Sequence, residues 1–283
     1  MLAPEAVLPP TRRELEDLEM RLLLEAIYER YGFDFRGYAR GSLRRRLWSR
    51  ALEEGATTLS ALQDRVLHDP VAMERLLSDL SVTVTAMFRD PMFYRTFRSR
   101  VVPLLRTYPF IRIWNAGCST GEETYSMAIL LREEGLSERS RIYATDMNHD
   151  VLEKARSATL PLARMRVYTQ NYIGSGGKRG FSEYYTTEGQ NVYLDRTLLD
   201  NVVIAQHNLV SDQSFNEFHV ILCRNVMIYF GKELQRRVHD LLHESLVKFG
   251  VLALGRRESV RFTRHEQSYE VLDGQERIYR RVE

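Results

Sequence analysis

The chain has 283 residues, 44% apolar and 28% charged, with 40 Lys and Arg against 38 Asp and Glu. Those values fit an ordinary folded protein of one or two domains, and a net charge of +2 selects no polyanionic partner. No apolar run approaches membrane-spanning length, no signal peptide is legible, and the two cysteines, Cys118 and Cys223, sit in strand-end contexts. A reduced, cytoplasmic protein without membrane insertion is therefore expected.

Beyond a proline-containing start, Leu15, Leu18, Leu22, Leu23 and Ile27 recur at helical spacing from residue 11 to about 31. A turn at 31–37 precedes a basic helix over about 41–54. Helices near 58–68 and 70–79 follow, the second opened by Asp69-Pro70, an N-cap with proline at the first helical position. Asp90-Pro91 repeats that signal before a helix reaching about residue 105. Residues 11–90 thus read as an all-helical domain. Between its last helix and Pro91, S-V-T-V-T-A-M-F-R-D starts as a short extended piece with Thr83 and Thr85 on one side.

Residues 91–283 change character. Strands are predicted at 111–114, 141–146, 201–207, 219–223 and 251–254, and helices at 121–134, 148–156 and 232–248. This alternation implies an α/β fold, a parallel sheet covered by helices on both faces. Residues 164–200, rich in Tyr, Gly and polar side chains, break the rhythm and read as an inserted hairpin or small antiparallel lobe. The glycines at 174, 176, 177 and 180 are expected at its turns.

Three segments carry polar groups to strand ends, where an open α/β sheet builds its ligand crevice. N-A-G-C-S-T-G-E-E-T-Y-S (115–126) follows a strand and opens a helix. Gly117 and Gly121 allow a tight turn and close backbone approach, but the spacing is neither a dinucleotide fingerprint nor a phosphate loop. Glu122 and Glu123 would repel a pyrophosphate. Acid without a phosphate-binding base suits an amino-acid-like cation such as S-adenosylmethionine. Y-A-T-D-M-N (143–148) ends the next strand on Asp146, placed to accept ribose hydroxyls; taken alone, Asp146 serves equally well as an N-cap. V-I-L-C-R-N-V-M-I-Y-F (220–230) runs a core strand into Arg224-Asn225 and on to Tyr229.

T-A-M-F-R-D, A-G-C-S-T-G-E-E-T-Y-S, A-T-D-M-N, H-N-L and C-R-N-V-M-I-Y-F, in this order and spacing, resemble the CheR-type chemotaxis-receptor methyltransferases, protein-glutamate O-methyltransferases. The resemblance covers about residues 31–248. It implies a class I S-adenosylmethionine-dependent, Rossmann-like sheet domain with an all-α N-terminal domain and a small antiparallel β-subdomain. It also implies donor contacts from Thr83, Thr85, Arg89, Glu123, Asp146, Asn208, Leu209, Arg224 and Asn225, with Arg89 and Tyr229 beside the transferring methyl group. The product would be S-adenosylhomocysteine, and no metal is called for. The chain departs from the family's pattern at Thr83 (often Asn), Met87 (usually Phe) and Thr124 (commonly Pro).

Arg36, Arg40, Arg44, Arg45, Arg46 and Arg50 form a run without an intervening acid, and Arg36, Arg40 and Arg44 step by four along one predicted helix face. With no accompanying nucleic-acid motif, the resemblance makes Arg40, Arg44 and Arg45 a docking face for acidic chemoreceptor helices. It likewise makes the small lobe a place for a receptor C-terminal peptide, whose binding the residues leave open. His239 and His243 share a helix face at metal-ligand spacing without a third ligand nearby, so packing is expected of them. Two alternatives stay open: a methyltransferase of the same fold acting on another protein, RNA or a small molecule, and a non-catalytic donor-sensing module.

Overall fold

The computed structural model describes residues 11–80 and 85–283, and the chain divides into two compact units, Met1–Val82 and Thr83–Glu283. The first unit is helical: α1 (Arg12–Tyr31), α2 (Arg40–Glu53), α3 (Leu59–His68) and α4 (Pro70–Leu80). Thr11 and Glu14 close a reciprocal capping box, with the Thr11 N–H donating to Glu14 Oε2 at 2.7 Å, and Gly32 in the left-handed region ends α1. Before α4, Asp69 Oδ1 accepts the Val71 N–H at 2.9 Å. The buried face of α1 is Met20, Leu23, Leu24 and Ile27, packed in a core with Leu43, Leu47, Leu62, Val66, Leu76 and Leu80. Leu15, Leu18 and Leu22, expected to share that face, are 46%, 39% and 49% exposed. They form a second apolar stripe offset around the helix from residues 20, 23, 24 and 27.

The basic run also differs from its linear appearance. Helix α2 begins at Arg40, so Arg36 lies outside it, donating to Asp34 and Glu25 and stacking on Tyr28 at 3.7 Å. Arg44 pairs with Asp17, Arg46 donates to the Leu80 carbonyl, and Arg50 pairs with Asp79. Arg40 and Arg45 are exposed.

The second unit opens with a helical stretch, α5 (Pro91–Thr96), a π-turn (Phe97–Val101) and α6 (Val102–Leu105). Alternation then sets in: β1 (Ile111–Ala116), α7 (Glu122–Glu133), β2 (Ser140–Asp146), α8 (His149–Ser157). After the small lobe come β6 (Val202–Gln206), β7 (Phe218–Cys223), α10 (Lys232–Glu244), β8 (Leu246–Leu254), β9 (Tyr269–Asp273) and β10 (Ile278–Arg281). The seven strands lie in the order β6-β2-β1-β7-β8-β10-β9; the first five are parallel and the last two antiparallel. β7 ends in the apolar run V-I-L-C because both faces of a central parallel strand are covered.

Helix α10 stops at Glu244, earlier than its amphipathic pattern predicts, because Leu246 already pairs with Phe218 as the first residue of β8. The ladder shifts between Phe218 and Val220, and Phe249 takes a positive φ of 66° opposite that irregularity. Strands β9 and β10, which cover the edge of the sheet, carry no pattern that predicts them.

The small lobe is a three-stranded antiparallel sheet, β3 (Thr159–Pro161), β5 (Asn191–Leu194) and β4 (Tyr185–Glu188), with α9 (Met165–Gly174) between β3 and β4. Its hairpin turns at Gly189, not at the expected glycines, of which Gly174 ends α9 and Gly176, Gly177 and Gly180 follow it. Gly177 is there because a Cβ would strike the Tyr172 ring at 2.2 Å. Glu133 of α7 anchors the lobe: one carboxylate oxygen accepts the Tyr184 hydroxyl and the Lys178 N–H, each at 3.0 Å, and the Tyr172 hydroxyl as well.

Candidate active site

Chain order reverses between β1 and β7: from β1 the chain moves outward through β2 to β6, then returns to β7 and β8. An open α/β sheet forms its crevice at the carboxyl ends of such a pair. The two loops meet there. Gly117 has φ 75°, and a Cβ on it would lie 2.6 Å from Val226 Cγ2, so this contact admits only glycine. The Gly117 and Cys118 N–H groups both donate to the Thr145 carbonyl, at 2.8 and 2.9 Å, which binds the loop to the end of β2.

Asp146 stands at that end. Its Oδ2 accepts the Ser119 N–H at 3.0 Å and its Oδ1 the Asn148 N–H at 3.1 Å. Helix α8 is capped by Asn148, whose Oδ1 accepts the Asp150 N–H at 2.9 Å, so capping does not account for Asp146. Burial pushes the Asp146 carboxyl above the usual aspartate range, against the main-chain N–H groups that favour its charge. The Ser119 hydroxyl oxygen is buried without a hydrogen-bond partner, and Ser119 takes φ 52°.

Glu123, in the first turn of α7, accepts the Asn115 amide at 2.9 Å and Arg224 at 2.6 Å. Arg224 also donates to Asp90 at 2.9 Å and lies 3.9 Å over the Phe93 ring, its side chain only 2% exposed. Its charge is thus shared by two carboxylates from different segments. The Asp90 carboxylate makes that ion pair instead of the expected helix cap: the residue is left-handed, φ 57°, and its side chain bonds no N–H of α5.

One functional candidate carries no sequence signal. Glu258, 5% exposed, follows β8 in a loop reading R-R-E-S. Its Oε1 accepts the N–H groups of Val226 and Met227 at 2.9 and 2.8 Å, and its Oε2 those of Asn225 and Gly255 at 2.8 and 2.6 Å. Four main-chain donors converge on one buried carboxylate and hold the turn after β7, where Asn225 takes φ 61°. Its partners lie more than thirty residues upstream or in its own loop, so neither periodicity nor motif marks it.

Of the expected site residues, Glu123 and Arg224 touch directly, Gly117 and Asp146 are joined through the loop bonds to Thr145 and Ser119, and Asn225 is held by Glu258. Asn208 and Leu209 follow the neighbouring strand β6, in a turn where Asn208 Oδ1 accepts the Val210 N–H at 3.0 Å, and the His207 N–H ties that strand end to the Asp146 carbonyl at 3.1 Å. Thr85 accepts Arg164 on its carbonyl at 3.3 Å. Arg89 is half-buried and precedes Asp90; Tyr229, also half-buried, ends a 3-10 turn (Met227–Tyr229) five residues after Arg224. The Arg224–Asp90 ion pair links the segments that carry these two residues. Thr83 lies outside the described residues. Arg40, Arg44 and Arg45 belong to the helical unit. Cys118 and Cys223 are free, buried thiols, and burial raises both well above the usual range.

This donor set suits S-adenosylmethionine. The Asp146 oxygens, held by main-chain N–H groups, keep acceptor capacity for a diol. The 117–121 loop carries no cation that would call for phosphate, and the orphaned Ser119 hydroxyl awaits a polar partner.

A family model for the CheR methyltransferase SAM-binding domain matches residues 83–278, and one for the CheR all-alpha domain matches 18–81. The chain is 50% identical over 265 residues to a Pseudomonas putida protein named "Putative methyltransferase Cher3", covering 94% of this chain and 97% of that one. It is 30% identical to the chemotaxis protein methyltransferase of Salmonella typhimurium, covering 88% and 86%, and 28% identical to that of Escherichia coli, with the same coverage. The sheet order, the all-helical unit and the small antiparallel sheet agree with a class I methyltransferase fold. The chain belongs to the CheR methyltransferase family and is an S-adenosylmethionine-dependent methyltransferase.

Proposed function

We propose that the protein is a cytoplasmic protein-glutamate O-methyltransferase that esterifies glutamate side chains on chemoreceptor cytoplasmic helices for sensory adaptation. The observation that carries this reading is the Asp90–Arg224–Glu123 network, which joins the segment carrying Arg89 to the strand end that leads to Tyr229. The relatives named chemotaxis protein methyltransferase support the choice of acceptor.

When bound, S-adenosylmethionine supplies an electrophilic methyl group on a sulfonium. Asp146 accepts the ribose hydroxyls, Asn208 and Leu209 border the base, and Thr85, Gly117, Glu123 and Asn225 line the rest of the donor site. Arg224 acts mainly by positioning Glu123. The acceptor carboxylate is already ionised near neutral pH, so the site requires no general base. Its task is alignment, which can lower a barrier by about 7–11 kcal/mol in favourable cases. Arg89 orients the carboxylate through its planar guanidinium, and Tyr229 borders the reacting methyl through its hydroxyl or ring. The exposed Arg40 and Arg45, with Arg44, offer an acidic receptor helix a cationic face.

The test is incubation with methyl-labelled donor and receptor-containing membranes, followed by alkali. A carboxyl methyl ester releases labelled methanol. Label that stays on protein or on RNA through alkali would assign the enzyme to another acceptor.

A further inference from the structure

The loop after β8 does more than anchor the donor-side turn. β7 and β8 are parallel neighbours, so the loops after Cys223 and Leu254 open on the same edge of the sheet, and Glu258 joins them through the Asn225, Val226 and Met227 N–H groups. Beyond Glu258 the loop reads S-V-R-F-T-R-H. Val260 is buried, and Thr263 folds the chain back by donating its N–H and hydroxyl to the Val260 carbonyl at 3.2 and 2.7 Å. Glu266 accepts the Phe262 N–H at 2.8 Å. The result is a Phe262 held in the left-handed region, φ 63°, with its side chain turned outward and the residue 95% exposed.

A bulky residue seldom adopts that backbone, and the loop's internal bonds hold it there rather than let the ring fold onto the protein. The charges beside it are only partly spent internally. Arg256 pairs with Glu276, and Arg264 with Asp240. Arg257 and Arg261 are exposed, and no described carboxylate lies within 4.0 Å of either. An exposed aromatic ring in one loop with two exposed guanidinium groups that no described carboxylate approaches, on the edge where the donor-side turn lies, matches a partner carrying carboxylates around an apolar residue.

We infer that residues 257–262 form a recognition surface for the acceptor protein: an acidic helical segment of the chemoreceptor docks its carboxylates on Arg257 and Arg261 and an apolar side chain on Phe262. This rests on the receptor-methylation reading above and names a contact surface for that acceptor. Because Glu258 ties this loop to the turn leading to Tyr229, docking here brings the acceptor to the reacting edge. None of the three side chains belongs to the donor site, so their loss acts on acceptor affinity.

The test uses the full chain with a purified chemoreceptor cytoplasmic fragment, reading KM and kcat for esterification at low and physiological salt, with product-cofactor binding by calorimetry. For the double variant Arg257→Glu, Arg261→Glu we expect KM to rise about tenfold or more with a flatter salt dependence, and for Phe262→Ala about fivefold. Phe262→Tyr should restore the wild-type KM, and S-adenosylhomocysteine affinity should stay unchanged throughout. Unchanged KM with an active wild type overturns this surface alone. So does finding that the same substitutions abolish binding to receptor-free anionic phosphatidylserine vesicles, or alter self-association in sedimentation, while KM is spared. A wild type that forms no receptor ester overturns the underlying reading and this surface with it.

Discussion

Glu258 holds Asn225 in place: its Oε2 accepts the Asn225 N–H at 2.8 Å, while its two oxygens together take up three further main-chain donors. Removing that carboxylate leaves four N–H groups without their acceptor in a buried turn. Glu258→Ala should cost about 3 kcal/mol of unfolding free energy and lower donor affinity about tenfold, and Glu258→Gln, which keeps one acceptor oxygen, about half as much in stability. Urea unfolding and calorimetric titration with S-adenosylhomocysteine check both. Wild-type affinity in the Ala variant would show that the turn does not depend on Glu258.

Gly117 and Val226 form a second coupled pair. In Gly117→Ala the new methyl meets Val226 Cγ2 and the backbone keeps a positive φ, so donor affinity should fall about tenfold or more, with a stability loss of about 1–3 kcal/mol. Adding Val226→Ala removes the collision but not the backbone strain. A double-mutant cycle should therefore return about 1 kcal/mol of favourable coupling. Additive effects would mean that the loops do not press on each other.

The histidines on α10 respond to acid. Burial, with the neighbouring His265, depresses His239 to about 4, and burial likewise depresses His243 to about 4. Folded values below the ordinary histidine value mean that the unfolded chain binds more protons between about pH 6.5 and pH 4. Stability is therefore complete above that window and falls as pH drops through it. For the buried His239 the loss is about 2 kcal/mol near pH 5. His239→Gln should flatten the acid slope of the urea midpoint; an unchanged slope would place the acid sensitivity elsewhere.

Arg89 and Tyr229 should separate binding from turnover. Arg89→Ala and Tyr229→Phe are expected to lower kcat about a hundredfold and about tenfold, with donor affinity changed less than threefold. Steady-state kinetics beside equilibrium donor binding make the comparison. Near-normal turnover in both variants would remove them from the reacting end.

Much of this architecture was legible because strand ends announce themselves. V-I-L-C running into R-N, and Y-A-T ending on Asp146, place polar residues after apolar runs, and the structure puts them at the carboxyl ends of the two parallel strands that flank β1. Roles set by distant partners were not legible. Asp90 has every local mark of a helix cap, yet its carboxylate is claimed by Arg224, 134 residues away. Arg224 looked like a ligand group and is enclosed by Asp90, Glu123 and Phe93. The stripe Leu15, Leu18 and Leu22 satisfied helical periodicity but lies outside the core, since periodicity names a face and not which of two faces is covered. Glu258, too, takes its role from distant partners: a carboxylate among arginines looks like surface until its four N–H donors are seen.

The most direct measurement is peptide mapping of a chemoreceptor after reaction with the protein and S-adenosylmethionine, comparing tandem mass spectra before and after alkali. Single methyl additions on glutamate side chains, removed by alkali and lost with Arg89→Ala, are the predicted result. Methyl groups on lysine, arginine or a nucleotide that survive alkali, with receptor glutamates unmodified, would contradict it.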